Sequence, residues 1–377
     1  MIDFKVEWSE AEVARVLQRV KDCRLPSALP GMGWNLGCDA DFLHKVQKYW
    51  VDSYDWRAAV ATLNRYPQFK AEVDGLEIHF VHVVGEAQGR RPLLLTHGWP
   101  GSHFEFWDSI DALAYPSRHG GRAEDAFDLI IPSLPGFGFS GKPQKLISQR
   151  ATAVLWNKLM TEVLGYKRYR AQGGDWGAIV TSWLGLDHGD VVEAIHLNML
   201  GFRSMDPPQN EAEQAWAKQS EMARGKLGSY AALQMTKPQS LAWAVADNPL
   251  GQAAWILERF HDWSDLRQRS FEEVFSMDHL LTNIMIYVMT GSFASAVCYY
   301  PGVAIDGFSL LPHGQRCQTP TAYADFSGDA SQPSPPRSRV ELTYDVKRWS
   351  TAPEGGHFAA MEAPAWFVED VRAWAKS

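Results

Sequence analysis

Gln172-Gly173-Gly174-Asp175-Trp176-Gly177-Ala178 decides how the rest of this 377-residue chain is read. Upstream, Tyr166 to Ala171 has the character of a strand end; downstream, Ile179 to Leu186 is apolar and long enough to open a buried helix. The stretch therefore sits on a strand-to-helix turn. Such a turn folds back sharply and brings strand and helix almost into contact, so it needs small residues on both flanks. Gly173, Gly177 and Ala178 supply them. The apex residue is then pushed out of the sheet into a strained, exposed position, the geometry of a nucleophile elbow. In its serine form the elbow reads G-x-S-x-G, but here the apex is the carboxylate of Asp175. A carboxylate nucleophile attacks carbon and becomes an ester itself, which excludes protease-like chemistry. Taken alone, the stretch fits an ordinary glycine-rich turn with a surface aspartate equally well. The rest of the chain has to decide.

Outward from the elbow, strands and helices alternate. Leu76 to Val84, Pro92 to Thr96, Leu129 to Ile131 and Glu193 to Leu200 read as strands, and Ala151 to Leu164 as a helix. Thr319 to Phe326 and Asp345 to Ser350 resume the strand pattern, and Ala365 to Ala375 closes the chain as a helix. This alternation predicts an α/β fold with a doubly wound, mostly parallel sheet, which binds ligands at the carboxyl ends of its strands. Two segments stand apart. Residues 1–75 read as helical and irregular, with amphipathic spacing over Glu10 to Val20 and Asp41 to Asp52. Residues 203–311 read as a helical insertion without strands, punctuated by Pro207-Pro208, Lys237-Pro238 and Asn248-Pro249. The expected division is thus 1–75, an N-terminal segment; 76–202, the first part of the core; 203–311, a helical cap; and 312–377, the second part of the core. Ser331 to Pro336 is expected to be a proline-rich surface loop.

Composition narrows the function. Hydrophobic residues make up 46% of the chain, as in a globular protein. There are 36 basic and 44 acidic residues and no basic run, which argues against nucleic acid as a partner. The sixteen tryptophans suit an aromatic-lined apolar pocket or a core. Cys23, Cys38, Cys298 and Cys317 are scattered without metal-ligand spacing, so they read as free thiols of a reducing, cytoplasmic compartment. Residues 1–22 carry no long apolar run, so neither a signal peptide nor a membrane anchor is expected.

A nucleophile needs an oxyanion stabiliser, a base and an orienting acid. His97-Gly98-Trp99-Pro100 follows a buried strand, where a backbone N–H can meet a developing oxyanion; the N–H groups of Trp99 and Trp176 are the two candidate donors. His357, in Gly355-Gly356-His357-Phe358, lies after the last strand and before the last helix. The order nucleophile, acid, histidine singles it out among twelve histidines. The acid should follow the strand at Thr319 to Phe326. Asp329 does so, whereas its rival Asp325 lies within the strand. After the preceding strand the chain offers Asn198, which cannot serve as an anion.

Six motifs, in order, are THGWPGS, LPGFGFS, GGDWGA, TKPQSLAWAVADNP, LLTNIMIYVMTGS and GGHFAAMEAP. Together they resemble those of the epoxide hydrolases of the α/β-hydrolase fold, specifically the microsomal type, over nearly the whole chain. The resemblance implies an N-terminal segment that wraps core and cap. It also implies two cap tyrosines that donate to the epoxide oxygen, which fall on Tyr230 and Tyr300, with Tyr299 adjacent to the latter. The implied activity is cofactor-independent, metal-free conversion of a small apolar or aromatic epoxide and water to a vicinal diol, through an alkyl ester on Asp175. A role in detoxification or in natural-product metabolism would suit such an enzyme, and homodimerisation is left open. Two other readings are a haloalkane dehalogenase, which shares the aspartate and a following tryptophan, and a non-catalytic binding protein on a hydrolase fold. The tyrosines speak against the first, because a halide needs no protonation on leaving. Asp175, His357 and the acid candidate speak against the second.

Overall fold

The computed structural model describes every residue except Gln88, Arg90 and Ser377. Eleven strands are present among them: β1 (Ile2–Phe4), β2 (Gln68–Val73), β3 (Leu76–Val83), β4 (Arg91–Thr96), β5 (Phe127–Pro132), β6 (Tyr169–Gly173), β7 (Val192–Leu197), β8 (Arg203–Ser204), β9 (Leu310–Leu311), β10 (Cys317–Asp325) and β11 (Tyr344–Thr351). Nine form one sheet in the order β1-β2-β3-β5-β4-β6-β7-β10-β11. From β5 to β11 every pairing is parallel, while β1, β2 and β3 add an antiparallel edge. Helices on both faces bury the parallel strands, and Leu93, Leu94 and Leu95 of β4 are fully enclosed. The chain steps from β4 to β5 on one side and to β6 on the other. That reversal leaves a crevice at the carboxyl ends of β4 and β6, where the elbow sits.

The first 75 residues hold more strand than their sequence suggests. Helices run over Glu10–Asp22, Ala40–Asp52 and Trp56–Leu63, but β1 and β2 extend the sheet. A three-residue strand is too short to display a period, and β2 is masked by its polar residues. The helices of this segment pack on the insertion: Trp34 stacks on His261 at 4.0 Å between ring centroids, and Arg19 pairs with Asp247. In the insertion the helices Glu211–Leu227, Ser229–Thr236, Pro238–Ala244, Pro249–Trp263 and Met277–Thr290 dominate. Its two ends are joined by β8 and β9, which pair in parallel and close its neck. The expectation of a strand-free insertion misses these because two residues carry no pattern.

The segment expected to be a proline-rich surface loop is half-buried. Pro333 O accepts the indole N–H of Trp216 at 2.9 Å, and Gln332 meets Arg203. All four cysteines are free thiols. No single described helix is long and apolar enough to cross a membrane.

Candidate active site

Asp175 sits between β6 and the helix Trp176–Asp187 with φ 48° and ψ −127°. A non-glycine residue held there stores on the order of 1–3 kcal/mol of strain, which the surrounding packing has to sustain. The flanking glycines are sterically required. A Cβ on Gly177 would come 1.9 Å from Thr96 O, and one on Gly173 would come 2.2 Å from Gly177 O. A Cβ on Gly98 would fall 2.3 Å from the Asp175 side chain, so the loop after β4 can approach the carboxylate only as glycine.

The approach delivers one hydrogen bond: Trp99 N–H donates to Asp175 Oδ1 at 2.8 Å. Trp176, the other expected donor, opens the helix directly after the apex. The loop bearing Trp99 is held from the cap helix Met277–Thr290. Asn283 and Tyr287, four residues apart and therefore on one helix face, donate to Pro100 O at 2.9 Å and to Gly101 O at 2.6 Å. His97 locks the loop from below, with Nδ1–H donating to Gly98 O at 2.9 Å and Nε2 accepting Leu134 N–H at 3.1 Å. Burial lowers the His97 pKa to about 4, so the ring is neutral and structural.

His357 and Asp329 complete the line. His357 Nε2 lies 3.4 Å from Asp175 Oδ2, and Nδ1–H donates to Asp329 Oδ2 at 2.7 Å. Asp329 Oδ1 is occupied by Ser331 N–H at 2.8 Å, Ser331 O–H at 2.6 Å and Gln332 N–H at 3.1 Å, which leaves Oδ2 aimed at the ring. Asp325 faces elsewhere and accepts the hydroxyl of Ser334. Burial works to lower the His357 pKa, but the Asp329 carboxylate and then Asp175 outweigh it and raise the pKa well above the ordinary histidine value.

Tyr230 and Tyr300 reach the same space from the cap. Tyr230 stacks on Trp99 with centroids 5.5 Å apart, and Tyr300 stands edge-on to Trp176 at 4.6 Å. The two phenol rings are 6.0 Å apart. Burial raises both phenol pKa values, and the Asp175 charge raises them further, so both are protonated donors at neutral pH. Tyr299 is turned away, its hydroxyl 2.8 Å from Thr152 Oγ1. Trp263, 4.9 Å from Tyr230 and 4.8 Å from His357, completes an aromatic wall.

Two carboxyl groups near this line escape sequence reasoning. Glu362 accepts N–H groups from Gly356 at 2.9 Å, Phe358 at 2.8 Å and Asp265 at 2.7 Å, pinning the loop on both sides of His357. Burial raises its pKa to about 7. Burial likewise pushes Glu105 up to about 8; His357 pulls its pKa down and Asp175 pushes it up, which places Glu105 electrostatically within the site. A signal was available for Glu362: it lies five residues after the histidine, inside GGHFAAMEAP. Nothing in the sequence marks Glu105 as belonging to the site. Among the described residues, no group of three or more His, Cys, Asp or Glu side chains is arranged to hold a metal ion.

Residues 1–106 match the family described as epoxide hydrolase N terminus, and residues 91–229 match the family described as alpha/beta hydrolase fold. Epoxide hydrolase 1 of Oryctolagus cuniculus is 35% identical over 401 residues, covering 98% of this chain and 87% of that one. The crystal structure of juvenile hormone epoxide hydrolase from Bombyx mori superposes with a TM-score of 0.88 at 28% identity, covering 100% of this chain and 95% of that one. The Aspergillus niger epoxide hydrolase structure gives a TM-score of 0.86 at 27% identity, with 100% and 96% covered. An aspartate at the elbow, a histidine–aspartate pair behind it, two phenols before it and this likeness along the full length agree: the chain belongs to the epoxide hydrolases of the α/β-hydrolase fold.

Proposed function

We propose that epoxide hydrolysis in this chain runs through a covalent ester on Asp175, with each residue of the line in a separate role. The observation that carries this reading is the division of labour on one carboxylate: Oδ1 is held by Trp99 N–H, while Oδ2 lies 3.4 Å from His357 Nε2. Oδ2 attacks an epoxide carbon from the side opposite the ring oxygen. The C–O bond breaks as both phenols, Tyr230 and Tyr300, hydrogen-bond the oxygen; one of them passes its proton to it, making a hydroxyl, and is left a tyrosinate. The product stays attached as an alkyl ester.

The second step requires a base, and the electrostatics provide its timing. In the free enzyme the Asp175 anion helps keep His357 protonated. Once Asp175 is an ester that charge is gone, so the His357 pKa falls; the ring gives up its proton, which makes good the one the phenol lost, and can then take a proton from water. The resulting hydroxide attacks Cγ of Asp175. Charge develops on Oδ1, where Trp99 N–H already donates and Trp176 N–H is the second candidate. Collapse breaks the bond between Cγ and the ester oxygen, and the proton of the added hydroxyl passes to that departing oxygen, which releases the diol and restores the carboxylate. Asp329 orients His357 and stabilises its cation.

The four-part division fits this scheme: the core (76–202 and 312–377) carries Asp175, Asp329 and His357, the cap (203–311) carries the phenols, and the first 75 residues brace the cap. The aromatic wall favours a small apolar or aromatic epoxide, and free thiols accord with a cytoplasmic location. Offering styrene oxide and a bromoalkane in parallel tests the reading. Diol without bromide is the expected result; bromide release would point to a dehalogenase, and neither product to a non-catalytic chain.

A further inference from the structure

Beside Tyr230, on the cap side, lies a cavity of about 440 Å³, within the size range of small-molecule sites. Leu227, Ala231 and Met235 give it an apolar wall, and its only charged side chains are Arg203 and Arg224. That is unusual in a chain with 44 acidic and 36 basic residues. Arg259 and Arg339, which are buried, are matched to the carboxylates of Glu258 and Glu213, and half-buried Arg170 to Glu193. Arg203 is not. Its side chain donates to the neutral Gln332 Oε1 at 2.9 Å, and among the described residues neither Arg203 nor Arg224 forms an ion pair. Burial and the like charge of Arg224 both lower the Arg203 pKa, so the two guanidinium groups repel each other. A partly buried guanidinium without an anion is costly, and its planar fork matches a carboxylate in two-point geometry.

The cavity also adjoins the chemistry. Tyr230 lines it, and Gln332, which holds Arg203, donates its backbone N–H to Asp329. We propose that this cavity receives a carboxylate borne by the substrate, so that preferred epoxides are apolar molecules with an acid group set apart from the oxirane. The proposal rests on the chemistry assigned to Asp175 and adds a substrate class to it.

The test compares an alkyl epoxide ending in a carboxylate with its methyl ester, using styrene oxide as a neutral reference. The wild-type enzyme should favour the acid over the ester by about tenfold or more in kcat/KM, mostly through KM. High salt should shrink the advantage. Arg203→Gln and Arg224→Gln should each bring the acid-to-ester ratio towards one. Arg203 is half-buried, so its variant is checked by thermal melting; Arg224 is exposed, and its variant carries the test if the other fails to fold. Equal wild-type rates on acid and ester, or an undiminished ratio in Arg224→Gln, would overturn the anion site. If styrene oxide is hydrolysed while acid and ester are treated alike, only the anion site falls. If none of the three is hydrolysed, the reading of Asp175 has fallen and takes the anion site with it.

Discussion

Replacing Asp175 by asparagine should lower the pKa of His357, because the substitution removes the same negative charge that esterification removes. The Asp175 Oδ2 atom lies 3.4 Å from Nε2, with the aspartate side chain 18% exposed and the histidine 5% exposed. At an effective dielectric of about 20, a charge pair at 3.4 Å is worth about 5 kcal/mol as an upper bound. Water at the partly exposed carboxylate screens part of this, and what remains still lowers the His357 pKa when the charge is removed. Asp329 is untouched, so the histidine retains an orienting partner at 2.7 Å. The assay is an NMR pH titration of the imidazole signals in wild type and Asp175→Asn, with His357 assigned by its absence in His357→Gln. The wild-type ring should stay protonated well above the ordinary histidine range, and the variant ring should titrate clearly below the wild-type one. A pKa unchanged to within a few tenths of a unit would refute the reasoning, because esterification could then not convert His357 into a base.

Other outcomes follow from the same geometry. In His357→Gln the first step should proceed and the second stop, so mass spectrometry after epoxide exposure should find the substrate mass added to the peptide containing Asp175. Absence of an adduct, with substrate bound, would count against a base acting only on the ester. Tyr230→Phe and Tyr300→Phe should each slow ring opening, and the double variant should lose about 10²–10⁴-fold in single-turnover alkylation, with ester hydrolysis far less affected. Wild-type alkylation in the double variant would discard the phenols as acids. Glu105 is raised from 4.5 to about 8, so the folded protein binds more protons than the unfolded chain between those values. Its contribution to stability therefore falls as pH rises through that window and is flat above it. Glu105→Gln should flatten the fall in melting temperature, leaving a smaller slope up to about 7 from Glu362; an unaltered profile would show that Glu105 is not so perturbed.

The site was legible where backbone sterics or chain order dictate residue type. Glycines flanking Asp175 are forced by contacts of 1.9 and 2.2 Å, so the sequence had to carry them. His357 and Asp329 were placed by their order relative to strands β10 and β11. Tyr230 and Tyr300 were not derivable from local pattern, since a cap tyrosine looks like any packing residue, and only the resemblance marked them. What stayed hidden depends on distant contacts. Glu105 matters because of what surrounds it, and Trp263 because the end of its helix meets His357. Strands β1, β2, β8 and β9 were missed because they are too short or too polar to show alternation. The half-buried loop at Ser331 to Pro336 read as surface because its proline and serine content says nothing of Trp216 or Arg203 across the neck.

The origin of the oxygen added to the diol distinguishes a covalent ester on Asp175 from direct attack by water. With enzyme in excess over epoxide in heavy-oxygen water, a single turnover should give diol with no heavy oxygen, because the first oxygen transferred comes from the Asp175 carboxylate. The heavy label should appear instead in the peptide containing Asp175, and enter the diol only over later turnovers. Heavy oxygen in the diol of the first turnover, with Asp175 unlabelled, would mean that water attacks the epoxide directly, and the covalent account would be wrong.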